Sequence, residues 1–286
     1  MSFLESIKNY FVTHKVKIID TNDEFRSSVQ ILSDQDYIGC DTEFVWRDTY
    51  YPILSLVQMS TSGETFIIDA IKVGDIKELN QVFKNKKIIK IFHSIRGDIA
   101  ALKTIKDFKI ENIFDTQIAY NFLNEDSSNQ ISYKNLTKKY LGIELDKTET
   151  NSNWEKRPLN ENQIKYAAED SRYLIKIMKH QIKKIKSNDK EILRNLFNSE
   201  LITACEDFKE SRLKRLEKNK KTSLLVKKIF LWREFFAEQN NIPPNKIFHE
   251  KHLFLIEKLL IEEKFEELNW IIAEDNFRKN FLIEFK

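Results

Sequence analysis

The 286-residue chain reads as an α/β protein: a mixed β-sheet flanked by helices, followed by a small all-helical C-terminal domain. Three observations predict this. Short runs rich in Ile, Val and Phe, each of strand length, crowd the N-terminal part. Segments between them carry apolar residues at three- and four-residue spacing, the signature of helices packed on a sheet. From Asp98 onward the strand signals stop and only helical patterns continue.

The strand runs are "KVKIID" (15–20), "YIGCDTEF" (37–44), "LSLVQMS" (54–60), "ETFIIDA" (64–70) and "KIIKIFHS" (87–94). Short connections join the second, third and fourth, which predicts an antiparallel meander; the fifth arrives after a helix and can run parallel. Helices are predicted over "NDEFRSSVQIL" (22–32) and "DIKELNQVFKN" (75–85), then over "DIAALKTIKDF", "DTQIAYNFLN", "YKNLTKKYLG" and "ENQIKYAAEDSRYLIKIMKHQIKKIK". The last starts at Asn160, with Gln163 placed to close a capping box. A long helix over about 190–216 leads into a run, 211–228, with eight basic residues against one acid, Glu217. The expected partition is residues 1–187, a linking helix over 188–216, and a helical domain over 217–286 interrupted once by Pro243 and Pro244.

Composition narrows the function classes. Apolar residues at 41% and charged residues at 32% suit a soluble intracellular protein, and a net charge of +3 does not by itself point to nucleic acid. Two cysteines, Cys40 and Cys205, exclude a disulfide framework or a Cys-x-x-Cys zinc site and read as buried small apolar groups. His249 and His252 read as a surface pair. The N-terminal stretch is too polar for a signal peptide and no apolar run reaches membrane-spanning length, so a cytoplasmic protein without a membrane partner is expected. No glycine-rich phosphate loop is present, which argues against a nucleotide-hydrolysing motor.

The chemistry concentrates in acids. Asp41 and Glu43, in "CDTEF", alternate with Thr42, so strand pleating puts both carboxylates on one face. Divalent metal relieves their repulsion, since hard oxygen ligands suit Mg²⁺ or Mn²⁺. On these two residues alone a plainer reading stands: Asp41 buffered by a lysine and Glu43 in solvent. Asp98, taken alone, reads as a helix N-cap. Asp170 lies inside a predicted helix, where Asp is a poor helix former, and Tyr166 projects from the same face one turn earlier. Asp115 reads as an N-cap outside the site.

"DTEF", "YYPILSLVQMS", "HSIRGDIAALK", "FDTQIAY" and "LGIELDKTETNSNWEKRPLNENQIKYAAEDSRYL", in that order over about residues 15–180, resemble the ribonuclease D family. That family forms part of the tyrosine-bearing branch of DEDD 3′→5′ exonucleases. The resemblance implies a ribonuclease H-like (DnaQ-like) fold. It also implies Asp41, Glu43, Asp98 and Asp170 as ligands of two divalent cations, Mg²⁺ or Mn²⁺, with Tyr166 as a fifth catalytic residue. Two such cations about 3.5–4 Å apart stabilise the attacking and leaving oxygens of phosphoryl displacement. The implied activity is release of nucleoside 5′-monophosphates from RNA 3′ ends, in precursor tRNA or other small structured RNA. Trimming of single-stranded DNA by the same site is an alternative, and a non-catalytic RNA-binding scaffold is another. Thr42, Phe44, Gln58, His93, Lys147 and Arg157 are the candidate substrate contacts. Phe44 is either a wedge against the terminal base or core; His93 and Arg157 meet either phosphate or protein. Trp154 is expected to pack under the "RPL" turn.

The segment "LWREFFAEQNNIPPNKIFHEKHLFLIEKL" is similar to the HRDC module, a helical nucleic-acid-binding domain, through Trp232, Arg233, Asn241, Pro243, Ile247, Glu250 and Leu253. Beside it, Lys220 and Lys221 in the basic run are expected to meet phosphate, with a solvated face as the alternative. A monomer is expected.

Overall fold

The computed structural model describes residues 14–125, 130–146 and 148–286. The chain divides into two compact units, Met1–Val45 with Ile53–Cys205, and Trp46–Pro52 with Glu206–Lys286.

The first unit is built on six strands: β1 (Lys15–Ile19), β2 (Tyr37–Val45), β3 (Ile53–Ser60), β4 (Glu64–Asp69), β5 (Ile89–Phe92) and β6 (Ile113–Asp115). Their order in the sheet is β1-β4-β3-β2-β5-β6. β2, β3 and β4 form the expected antiparallel meander, while β1 on β4, β5 on β2 and β6 on β5 are parallel. The sheet is therefore mixed, as predicted. One expectation fails: strand signals do not end at Asp98, because β6 follows it. Three residues, "IFD", are too few to display a period of two.

Register sorts the two faces. Asp41 stands opposite Gln58, and Glu43 opposite Leu56. Directly opposed residues share a face, so Gly39, Asp41, Glu43, Leu56, Gln58 and Ile67 lie on one side. Ile38, Cys40, Val57, Met59, Phe66 and Ile68 fill the main core on the other. That core also takes Phe25, Val29 and Leu32 from α1 (Asn22–Ser33). A register shift between Glu43 and Phe44 marks a bulge directly after the acid pair.

The helices of this unit continue with α2 (Ala70–Val73), α3 (Asn80–Phe83), α4 (Arg96–Leu102), α5 (Thr116–Leu123), α6 (Tyr133–Leu141), α7 (Glu161–Arg172), α8 (Leu174–Ile182) and α9 (Lys190–Cys205). The single helix expected from Asn160 is two, broken at Tyr173. Its backbone N–H donates to the Tyr133 hydroxyl, which in turn donates to the Glu169 carbonyl, so the groups freed by the break are satisfied. The helix expected over 190–216 is likewise two. Asp207 accepts from the backbone of Lys209 and Glu210 and caps a new helix, so the linking helix is replaced by a break at residues 206–207. Cys205 is exposed rather than buried; Cys40 is buried as expected.

The second unit comprises α10 (Phe208–Asn219), α11 (Leu224–Gln239), α12 (Pro244–Ile247), α13 (Leu253–Ile261) and α14 (Asp275–Phe285), together with the Trp46–Pro52 segment. Its core includes Tyr50, Phe230, Trp232, Ile247, Phe248, Leu253 and Phe281. Tyr50 donates through its hydroxyl to Glu234, which also pairs with Arg212 and with the buried Arg233. Arg233 lies over the Phe230 and Phe248 rings. In the basic run, Arg212, Lys214 and Lys227 are held by Glu234, Glu206 and Glu217. Among the described residues no helix is long and apolar enough to cross a membrane.

Lys90, in β5, is fully buried, and its ammonium donates to the carbonyls of Asn85 and Ile88. Burial pushes its pKa down from 10.5 to about 8. Between these values the unfolded chain holds a proton that the folded chain has lost, so folding becomes more favourable as pH rises. Relative to Lys90→Met, the wild-type protein should gain about 3 kcal/mol of unfolding free energy between pH 8 and 10.5. Urea unfolding at several pH values reads this; a gap that does not change with pH refutes it.

Candidate active site

The site begins with a glycine. A Cβ at Gly39 would lie 2.4 Å from the Ser171 carbonyl oxygen and 3.1 Å from the Leu174 Cβ. The end of α7 can press onto β2 only because that atom is absent. Asp41 and Glu43 follow Gly39 on the same face, and Asp170 immediately precedes Ser171. The result is a group of three carboxylates, Asp41, Glu43 and Asp170, whose oxygens lie within 4.8 Å of one another.

Polar anchors fix α7 in that position. Asn160 and Gln163 form the predicted capping box at its start. Ser171 Oγ lies 2.6 Å from Ser60 Oγ on β3. Ahead of the helix, Arg157 grips Asp69 with Nε and Nη2 at 2.6 and 2.8 Å, and donates to Ser55 Oγ and the Trp154 carbonyl. Trp154 is buried against the Tyr166 ring, with Leu56, Ile67, Ala167 and Ala168 completing a small core under the helix.

Asp98 arrives from a different direction. β5 ends at Phe92 while β2 runs on to Val45, so the edge of β2 beyond Gly39 has no strand beside it on that side. α4 begins there. Asp98 is its third residue, not its cap: Ile95 holds the cap position. The Thr42 hydroxyl donates to Asp98 Oδ1 at 2.8 Å, and Asp98 stands outside the three-carboxylate group. Burial pushes its pKa up to about 7, with the Thr42 hydrogen bond opposing. Asp115 is the N-cap predicted, accepting from Gln117 and Ile118; it also accepts from the backbone of Ser94 and Ile95, which fixes the entry to α4.

Tyr166 points toward the acids from α7. Its hydroxyl lies 3.2 Å from Thr150 Oγ1, and burial, then the Asp170 charge, holds its pKa well above the ordinary phenol value. The site opens into a cleft of about 400 Å³ lined by Asp41, Asp170, His93, Gln117, Ser132 and Tyr133 among others. Phe44 is half-buried with its ring facing Gly97.

Several expected substrate contacts are buried or hydrogen-bonded within the protein. Gln58 is fully buried on β3, with neither amide atom hydrogen-bonded among the described residues. Arg157 spends its guanidinium on Asp69, Ser55 and the Trp154 carbonyl, so it is a protein contact. The Thr42 hydroxyl is engaged with Asp98. His93 lines the cleft, but Nε2 donates to the Ile131 carbonyl and Nδ1 meets Thr116 Oγ1. Lys147 lies outside the described residues. Sequence reasoning missed Gly39, Tyr133 and Thr150. Only Gly39 carried a signal: an isolated glycine inside a strand marks close backbone approach.

Three clustered carboxylates are a hard, all-oxygen donor set compatible with a divalent cation such as Mg²⁺ or Mn²⁺. Gly39→Ala should force α7 outward and weaken Mn²⁺ binding about tenfold or more, while costing about 1–3 kcal/mol through overpacking. Calorimetric titration with Mn²⁺ and chemical unfolding measure the two effects; unaltered Mn²⁺ affinity would show that this contact does not set the carboxylate spacing.

Residues 16–186 match the family model described as 3′-5′ exonuclease. Ribonuclease D of Desulfotalea psychrophila is 32% identical over 249 residues, covering 84% of this chain and 66% of that protein. Ribonuclease D of Bartonella henselae is also 32% identical, covering 84% and 60%. The chain thus spans less than two thirds of the length of these curated relatives. Among solved structures, Escherichia coli RNase D, an exoribonuclease involved in structured RNA processing, superposes with a TM-score of 0.78 at 24% identity, covering 86% of this chain and 67% of that one. The catalytic core of RRP6 from Trypanosoma brucei gives 0.64 at 24% identity, covering 87% and 72%. These structural likenesses bear out the expected ribonuclease H-like fold. With the carboxylates of β2 and α7 gathered at one point and the match running through both, the chain belongs to the 3′-5′ exonuclease family.

Proposed function

We propose that this chain is a metal-dependent 3′→5′ exoribonuclease that releases nucleoside 5′-monophosphates from RNA 3′ ends. The observation that carries the reading is the convergence of Asp41, Glu43 and Asp170 beside Tyr166, within a chain of the 3′-5′ exonuclease family. Asp41, Glu43 and Asp170 would hold two divalent cations, Mg²⁺ or Mn²⁺, with Asp98 as the fourth ligand from the edge of β2. When bound, such cations supply activation of the attacking water and shielding of the leaving 3′-oxygen.

The remaining work falls to the chain's own groups. Tyr166 keeps its proton, because burial and Asp170 raise its pKa; it orients the attacking water as a hydrogen-bonding partner and does not serve as the base. Thr42 steadies Asp98. Phe44, at the mouth of the acid pair, packs against the terminal base. The cleft between His93, Ser132 and Tyr133 takes the penultimate nucleotide. The family resemblance favours precursor tRNA and other small structured RNA as substrates, acted on by a cytoplasmic monomer. In the HRDC-like unit, Trp232 and Arg233 are core residues, so any grip on RNA there falls to exposed lysines such as Lys220 and Lys221.

A time course on 3′-tailed RNA and matched DNA, with Mg²⁺, Mn²⁺ or chelator, tests the reading. Shortening of RNA one nucleotide at a time, stopped by chelator, is expected. Asp41→Ala and Asp170→Ala should each lower the rate by at least about 10³-fold while RNA binding in chelator persists. A wild-type rate from Asp41→Ala would remove the site assignment. Tyr166→Phe should slow turnover about 10²-fold with Mn²⁺ affinity retained; loss of Mn²⁺ affinity would instead make it a metal-site residue.

A further inference from the structure

A second concave site lies outside the carboxylate cleft. His14, Thr61, Arg172, Lys176, Lys179 and Lys183 are among the residues lining a pocket of about 640 Å³, with no acid among the described residues of its wall. Lys176, Lys179 and Lys183 follow one another at intervals of three and four residues along α8 and its C-cap, the repeat of a single helical face, and Arg172 stands at the end of α7 before the break at Tyr173. The three lysines span about 10 Å at 1.5 Å per residue, and Arg172 extends the row at the α7 end. Among the described residues no carboxylate pairs with any of the four, in a unit where Lys17, Lys72, Lys77 and Lys138 all have acidic partners. His14, at the rim, donates to or accepts from Thr65 Oγ1 at 2.8 Å. Burial, then Arg172 and Lys176, hold its imidazole down to about 4, with the Glu64 carboxylate opposing.

A row of cations this long, without carboxylate partners, is more than one small anion needs. It matches a run of backbone phosphates, which repeat every 3.4 Å or more along a strand. The position relative to the cleft fits as well. Tyr133, at one end of α6, lines the carboxylate cleft, and Leu141, at the other end, lines the basic pocket. The nine-residue helix separates the two lining residues by about 12 Å, a distance that a few nucleotides span. Asp170 and Arg172 are two residues apart on α7, about 200° around the helix, so the acids and the cations face different ways.

We propose that Arg172, Lys176, Lys179 and Lys183 form a second phosphate-binding groove that holds the single-stranded RNA backbone upstream of the 3′ end lying in the carboxylate cleft. This rests on the exoribonuclease reading for the direction of the strand. The groove reads no base; it sets affinity, salt dependence and a minimum efficient length. A dinucleotide is too short to reach it.

The test compares the wild-type protein with the triple variant Lys176→Ala, Lys179→Ala and Lys183→Ala, and with the triple Lys→Arg variant. Binding of a fluorescent 12-nucleotide RNA is read by anisotropy in chelator, across a salt series. The alanine variant should bind about tenfold more weakly, with a salt slope shallower by about 2, at about 0.7 for each phosphate that is no longer neutralised. The arginine variant should restore both. In turnover with metal, KM for the 12-nucleotide RNA should rise while kcat and the KM for a dinucleotide stay put. Equal affinity and equal salt slope for wild type and the alanine variant would overturn the proposal. So would a pocket that binds inorganic tripolyphosphate in a lysine-dependent way while RNA affinity is untouched, which would mark it as a small-anion site. Because binding is read without metal, a wild-type protein that cuts no RNA would count against the exoribonuclease reading alone, and the binding comparison would still decide for or against the groove.

Discussion

Everything at the site depends on how closely α7 can lie on β2. Asp41 and Glu43 are fixed by the pleat of a central strand, and Asp170 must come to them. With all three ionised, carboxylates within 4.8 Å would repel by roughly 3 kcal/mol per pair at an effective dielectric near 20. That repulsion would open the helix–strand contact unless something else held it shut. Gly39 removes the steric obstacle, and the contact is then secured by bonds that have no part in the chemistry. The site is stable as a scaffold and strained only in its charges, an arrangement that a divalent cation relieves.

The anchors share a logic. Arg157 and Asp69 are both largely buried, and the pair survives burial because the guanidinium is also satisfied by Ser55 and the Trp154 carbonyl. Tyr133 serves twice: its hydroxyl mends the backbone at the break between α7 and α8, and its ring lines the cleft. Asp115 spends its carboxylate on four backbone N–H groups, from Ser94, Ile95, Gln117 and Ile118, and thereby ties the start of α4 to the start of α5. Asp98 inherits its position from that tie. A carboxylate outside the acid cluster thus decides where a candidate ligand stands.

The meander, the capping box at Asn160 and the cap at Asp115 were legible because each is written in local residues with a fixed spacing. The same holds for the shared face of Asp41 and Glu43. β6 was not legible, since three residues cannot express a period. The breaks at Tyr173 and Asp207 were missed for another reason: apolar spacing continues through them, and what ends the helix is a partner far away in sequence, or a cap inside a run of other polar residues. Gln58 and Arg157 look like substrate contacts in one dimension because both are polar and near the motifs. Burial and pairing with Asp69 appear only when strands β3 and β4 are brought together.

Charge in this protein is sorted by position more than by amount. A net charge of +3 says little, yet the acids turn inward from one side of α7 while the cations of α7 and α8 line the other. Three of the eight basic residues in the run at 211–228, the most conspicuous cationic feature of the sequence, are paired internally with Glu206, Glu217 and Glu234. The row from Arg172 to Lys183 is quieter in sequence because apolar residues interrupt it: Leu174, Ile177 and Met178 are buried on another face of α8, and Ile175 lines the pocket itself. Helical periodicity turns an ordinary alternation into a continuous line of positive charge. The basic row thus shares α7 with the carboxylate cage, which Asp170 completes from that helix beside Asp41 and Glu43 of β2.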